Sequence, residues 1–106
     1  MGIFDFKPGN SIDEAIEEFK KTEGSMLIDV RSEEEYVQGH IPESKNVPLP
    51  SISLVSKIIK DKKLPIYLYC HSGIRSEQAA MELEIMGYEN VKNIGGIINY
   101  KGPITK

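Results

Sequence analysis

Apolar residues recur at Ile12, Ala15, Ile16 and Phe19, the i, i+3, i+4, i+7 spacing of one helix face. Ser11 and Glu14 stand at capping-box spacing at its start, and Gly24 marks its end, so the first element is a helix. The pattern then changes. Met26 to Val30 is a short apolar run holding Asp29 and followed by Arg31, long enough for a buried strand and too short for a helix. A second box, Ser32 with Glu35, opens a brief helix that Gly39 stops and Pro42 keeps from resuming.

Lys45 to Leu49, interrupted by Pro48, suits a short strand near an edge. Ser51 is placed to cap a third helix whose stripe is Ile52, Val55 and Ile59, widened by Leu54 and Ile58. Leu64 to Tyr69 predicts another strand, leading through Cys70 to Ile74 into a helix with Ala79, Ala80, Leu83 and Met86 on one side and Gly87 at its end. Val91 to Ile94 forms the last strand, before Gly95 and Gly96. Alternating strands and helices predict an α/β fold: an open parallel sheet with helices on both faces. At 106 residues the chain is read as one domain over 1–106, with no internal repeat or linker.

Thirteen Lys and Arg against sixteen Asp and Glu give a net charge of −3, with the signs interspersed, which argues against a nucleic-acid partner. Met1 to Lys7 has no basic start, apolar stretch or cleavage site of a secretory leader, and no apolar run reaches 18 residues. A cytoplasmic protein with no membrane partner is therefore expected. One cysteine and two histidines cannot build a structural zinc site, and no cofactor is implied.

The lone cysteine, Cys70, lies on a strand-to-helix turn, and in open parallel sheets such turns bind ligands. A free cysteine is commonly an inert core residue, but the neighbours here argue for chemistry. Gly73 permits positive φ, which turns successive N–H groups inward as an anion-holding nest, and the next helix adds its positive end. An unperturbed thiol with a pKa of about 8.5 is about 3% thiolate at pH 7, whereas a pKa of roughly 6.5 gives about 75%. The nest, the helix end, Arg75 and a hydroxyl of Ser72 or Ser76 could all contribute to such a shift.

The run Cys70-His71-Ser72-Gly73-Ile74-Arg75-Ser76 resembles the active-site loop of the rhodanese-like sulfurtransferases, of the form Cys-x-x-Gly-x-Arg-Ser. Leu27 to Arg31, Glu35-Tyr36, Gly39 to Pro42 and Asn46 to Pro48 resemble the amino-terminal signature of that family. Gly87-Tyr88, Val91 and Gly95-Gly96 resemble its carboxy-terminal end. The resemblance implies a five-stranded parallel sheet and a Cys70 nucleophile that becomes a persulfide. His71, Ser72, Gly73, Ile74, Arg75 and Ser76 would then bind substrate. The implied donor is thiosulfate, polysulfide or a protein persulfide, and the acceptor cyanide or a thiol. Two departures stand out: Glu43-Ser44 where Gly-Ala is usual, and Tyr100 where tryptophan is common. The chain runs only to Lys106, so the final helix is expected to be short or frayed.

Arg75 has two roles open to it, holding the anionic end of a donor or pairing with a surface carboxylate. His71 is either a hydrogen-bond donor and proton shuttle or a solvated spectator. His40 reads as ordering its turn, Asp29 and Arg31 as a polar network fixing loops, and Ser32 to Glu35 as a helix first turn favoured by the macrodipole. Tyr67 and Tyr69 alternate on a strand and read as core or pocket lining. Two rival functions are a non-catalytic interaction module of the same fold and a cysteine phosphatase or arsenate reductase. The latter enzymes place five residues between nucleophile and arginine, whereas four separate Cys70 from Arg75, leaving a pocket sized for sulfur.

Overall fold

Period-two alternation along the central strands sorts the core into two layers. Even positions Ile28, Val30, Ile66, Leu68 and Cys70 face one side, with Val55, Ile59, Ala79, Leu83 and Tyr88 packed over them. Leu27, Tyr67 and Tyr69 face the other, beneath Ile12, Ala15, Ile16 and Phe19. A computed structural model describes residues 11–106. The stretch Met1 to Lys7, read above for a leader, lies outside them.

The elements run α1 (Ile12–Lys21), β1 (Met26–Asp29), α2 (Glu33–Gln38), β2 (Lys45–Asn46), a 3-10 helix (Leu49–Leu54), α3 (Val55–Ile58), β3 (Ile66–Cys70), α4 (Ile74–Ile85), β4 (Val91–Gly96) and a closing 3-10 turn (Ile97–Asn99). All strand pairings are parallel, in the order β2-β1-β3-β4. Four strands, not the implied five, are present among the described residues. None of the described helices is long and apolar enough to cross a membrane.

Both capping boxes form: Ser11 Oγ accepts from Glu14 N–H, Ser32 Oγ from Glu35 N–H, and each glutamate accepts in return from the serine N–H. The third helix differs from expectation. Ser51 is not a cap but sits at φ −110°, ψ 20°, inside a kink. Pro48 and Pro50 have fixed φ and no N–H, so helical geometry begins at Leu49 and stays 3-10 before one α turn. This pitch buries Ile52, Val55 and Ile59 and leaves Leu54 and Ile58 exposed, so the stripe is narrower than the sequence predicts.

The carboxy-terminal end is short, as expected, but not frayed. The expected final helix is a single 3-10 turn, and the tail beyond it is tied down: His40 and Thr105 exchange two backbone hydrogen bonds of 2.8 and 2.9 Å in an antiparallel bridge. Tyr100 packs against the α1 layer in place of the larger ring. At the other departure, Glu43 has φ +75°, a conformation that costs a residue with a side chain about 1 kcal/mol. Glu43→Gly should therefore raise stability by about 0.5–1 kcal/mol in urea unfolding, offset in part by the extra freedom of glycine in the unfolded chain.

Candidate active site

Cys70 is the last residue of β3, and its side chain points under the amino terminus of α4. Gly73 caps α4 at φ +104°, and this curl turns donors onto the sulfur. Sγ accepts from Gly73 N–H at 3.0 Å, from Ser76 N–H at 3.4 Å and from Ser76 Oγ at 3.4 Å. Burial pushes the thiol up. Hydrogen bonds from the Ser76 hydroxyl and N–H, then from the Gly73 and Ser72 N–H groups, outweigh it and bring the pKa below the ordinary thiol value. Arg75 is no contributor by direct contact.

Ser76 is fully buried, and its one hydroxyl proton has two acceptors, Cys70 Sγ at 3.4 Å and Asn93 Oδ1 at 2.6 Å. The shorter contact holds the proton while the sulfur is neutral. A thiolate competes for it more strongly, because charged acceptors make the stronger bonds. Asn93 also accepts from Gly95 N–H at 3.0 Å and donates to the Gly73 carbonyl at 3.1 Å, joining the loop to β4.

On that strand a register shift at Gly95, φ +108°, sets Gly96 opposite Cys70. A methyl group at Gly96 would overlap the His71 carbonyl and Ser72 Cα, so only glycine lets the strand approach the loop so closely. The His71 carbonyl also accepts from Ile98 N–H at 3.1 Å. A cavity of about 340 Å³ borders this junction through Asn93, Gly95 and Gly96, but Cys70 does not line it.

Of the seven loop residues, Cys70 and Ser76 are buried and Gly73 and Arg75 half-buried, while His71, Ser72 and Ile74 are exposed. Arg75 is paired with a carboxylate: Nη1 and Nη2 donate to Glu35 Oε1 and Oε2 at 2.7 and 3.0 Å. That hydrogen bond holds the Glu35 carboxyl at about 2, well below the usual carboxylate range, against a smaller upward push from burial. Behind the loop, Asp29 and Arg31 form a buried bidentate pair with a shortest contact of 2.7 Å, and Arg31 also donates to the Gly39 carbonyl. His40 stacks on Tyr36 with ring centroids 3.7 Å apart. The Tyr69 hydroxyl accepts from Ile41 N–H and meets Ser44 Oγ, so these groups hold the turn around Pro42.

Glu35 and Asn93 were not legible as site residues. Glu35 bears the mark of a helix first turn, and an asparagine in a short strand carries no local signal at all.

A cysteine at the carboxyl end of a central parallel strand, ringed by N–H donors at a helix start, defines a class of α/β proteins with an anion-stabilising thiol. The family model of the rhodanese-like domain matches residues 11–102, and the chain belongs to that family. It is 36% identical over 80 residues to the thiosulfate sulfurtransferase PspE of Escherichia coli, covering 74% of this chain and 77% of that protein. Identity is 42% over 79 residues with a sulfurtransferase of Allochromatium vinosum, covering 73% and 72%. Sulfur transfer is thus supported at the level of the family. The chain also matches longer proteins, at 33% identity over 91 residues with the adenylyltransferase and sulfurtransferase uba4 of Ogataea parapolymorpha. There it covers 85% of this chain but only 23% of the relative. Among solved structures, a rhodanese with anions from E. coli superposes with a TM-score of 0.73 at 35% identity, covering 77% of this chain and 98% of that one.

Proposed function

We propose that this protein is a sulfurtransferase carrying sulfane sulfur as a persulfide on Cys70. The observation that carries the reading is the convergence of the Gly73 and Ser76 donors on one buried sulfur at 3.0–3.4 Å. These donors stabilise negative charge on Sγ, and in the persulfide they stay beside the charge one atom further out.

In the first half-reaction the Cys70 thiolate attacks the outer sulfur of the donor. An Sγ–S bond forms and the donor's S–S bond breaks. The leaving group departs with the electron pair, as sulfite from thiosulfate or as a thiolate from a polysulfide or protein persulfide. In the second, cyanide or a thiolate attacks the outer sulfur, the Sγ–S bond breaks, and the Cys70 thiolate returns. The sulfur atom moves without net gain or loss of electrons by the enzyme. His71, Ser72 and Ile74 line the approach from solvent, Gly73 and Ser76 hold the charge, and Arg75 closes the side facing α2.

Thiocyanate formation from cyanide with either thiosulfate or polysulfide tests this reading. Because the thiol pKa is lowered, the thiolate fraction rises with pH and saturates earlier than for a free cysteine. The acid limb of kcat/KM is expected below the ordinary thiol value, and Ser76→Ala should move it upward. Thiocyanate from neither donor would contradict the proposal.

A further inference from the structure

We infer that Glu35 sets the charge of the donor this site accepts: by occupying both terminal nitrogens of Arg75 it leaves the loop close to neutral and disfavours dianionic donors against singly charged ones. The inference rests on the reading of Cys70 as sulfur carrier and adds what selects the donor.

Arg75 is the only Lys or Arg between Cys70 and Ser76. The second guanidinium near this end of the sheet, Arg31, is buried against Asp29. The Glu35 charge beside it therefore offsets most of the attraction that Arg75 offers a dianion such as thiosulfate, even at the guanidinium N–H groups the pair leaves over. The carboxylate is not free to move away, since Oε1 also accepts from Ser32 N–H and Oγ at 3.0 Å each, which anchors it to the start of α2. Glu35 stays ionised throughout the neutral range. Its contact with Arg75 is about one-third exposed, so its field is only partly screened.

Two donors that share the sulfonyl-to-sulfur bond isolate charge from chemistry: thiosulfate, a dianion, and methanethiosulfonate, a monoanion. Each loads Cys70 by the same displacement, releasing sulfite or methanesulfinate. Glu35→Gln retains an Oε1 acceptor for the capping box and removes the charge. The kcat/KM ratio of thiosulfate to methanethiosulfonate should then rise on the order of tenfold, the effect of one unit charge felt across a partly exposed site, and the rise should shrink as salt is added. Glu35→Asp keeps the charge and should hold the ratio within about twofold of the parent.

A ratio unmoved in Glu35→Gln, with Cys70 still gaining sulfur by intact mass, would overturn the inference and leave the sulfurtransferase reading standing. An equal rise in Glu35→Asp would overturn it as well, because geometry and not charge would then be responsible. Failure of both donors to load the parent protein would instead remove the reading beneath it.

Discussion

Cys70→Ser is expected to abolish sulfur transfer completely while changing stability by less than about 1 kcal/mol. The serine hydroxyl occupies the same position at the end of β3 and can accept from Gly73 N–H, so the loop keeps its curl. What is lost is the chemistry. An alcohol stays protonated near neutral pH and has no sulfur with which to form the Sγ–S bond of the proposed half-reactions. Thiocyanate production by the variant should fall to the uncatalysed rate with every donor, with a urea midpoint close to that of the parent. A variant that unfolds outright would show that the thiol is chiefly a packing residue among Ile66, Leu68 and Ala79.

The largest effect on stability is expected from Asp29→Ala, a loss of about 3–5 kcal/mol in urea unfolding. Asp29 is fully buried and accepts from Arg31 N–H, Nε and Nη2. Burial alone would lower the Arg31 pKa, yet hydrogen bonding to Asp29 raises it, so the guanidinium is charged in the interior. Removing the carboxylate leaves that charge with the Gly39 carbonyl as its remaining hydrogen-bond acceptor. The same residue's backbone binds β2: the Asp29 carbonyl accepts from Val47 N–H and Asn46 Nδ2. Asp29→Ala combined with Arg31→Met should cost less than the sum of the two single changes, since no uncompensated charge stays buried. Additive losses would show that the pair is not coupled.

Legibility in the sequence followed the range of the interaction. The α1 helix was readable because its cap, stripe and stop all lie within a few turns, and Ser11, Glu14 and the four apolar positions behave as local rules require. Tyr67 and Tyr69 were readable as strand residues lining the core or a pocket, and the structure buries both in the layer beneath α1. The 3-10 helix is poorly legible because Ser51 looks like a cap, while the two prolines beside it decide where helical geometry starts. Residues that act across the fold carried the weakest signal. Glu35 satisfies a capping box, so nothing in its neighbourhood announces a partner forty positions on. Asn93 acquires its role only when the one-residue shift at Gly95 brings β4 against the loop. The His40–Thr105 bridge likewise joins segments too distant for any local pattern to show.

Sulfur carriage by Cys70 is measured most directly by the intact mass of the protein after exposure to a sulfane donor and removal of excess reagent. The geometry at Cys70 predicts a gain of one sulfur atom per chain, lost on addition of cyanide with release of thiocyanate and absent from Cys70→Ser. A folded parent protein that gains no sulfur from thiosulfate, methanethiosulfonate or polysulfide, or one that gains it equally in Cys70→Ser, would contradict the assignment of Cys70 as the sulfur carrier.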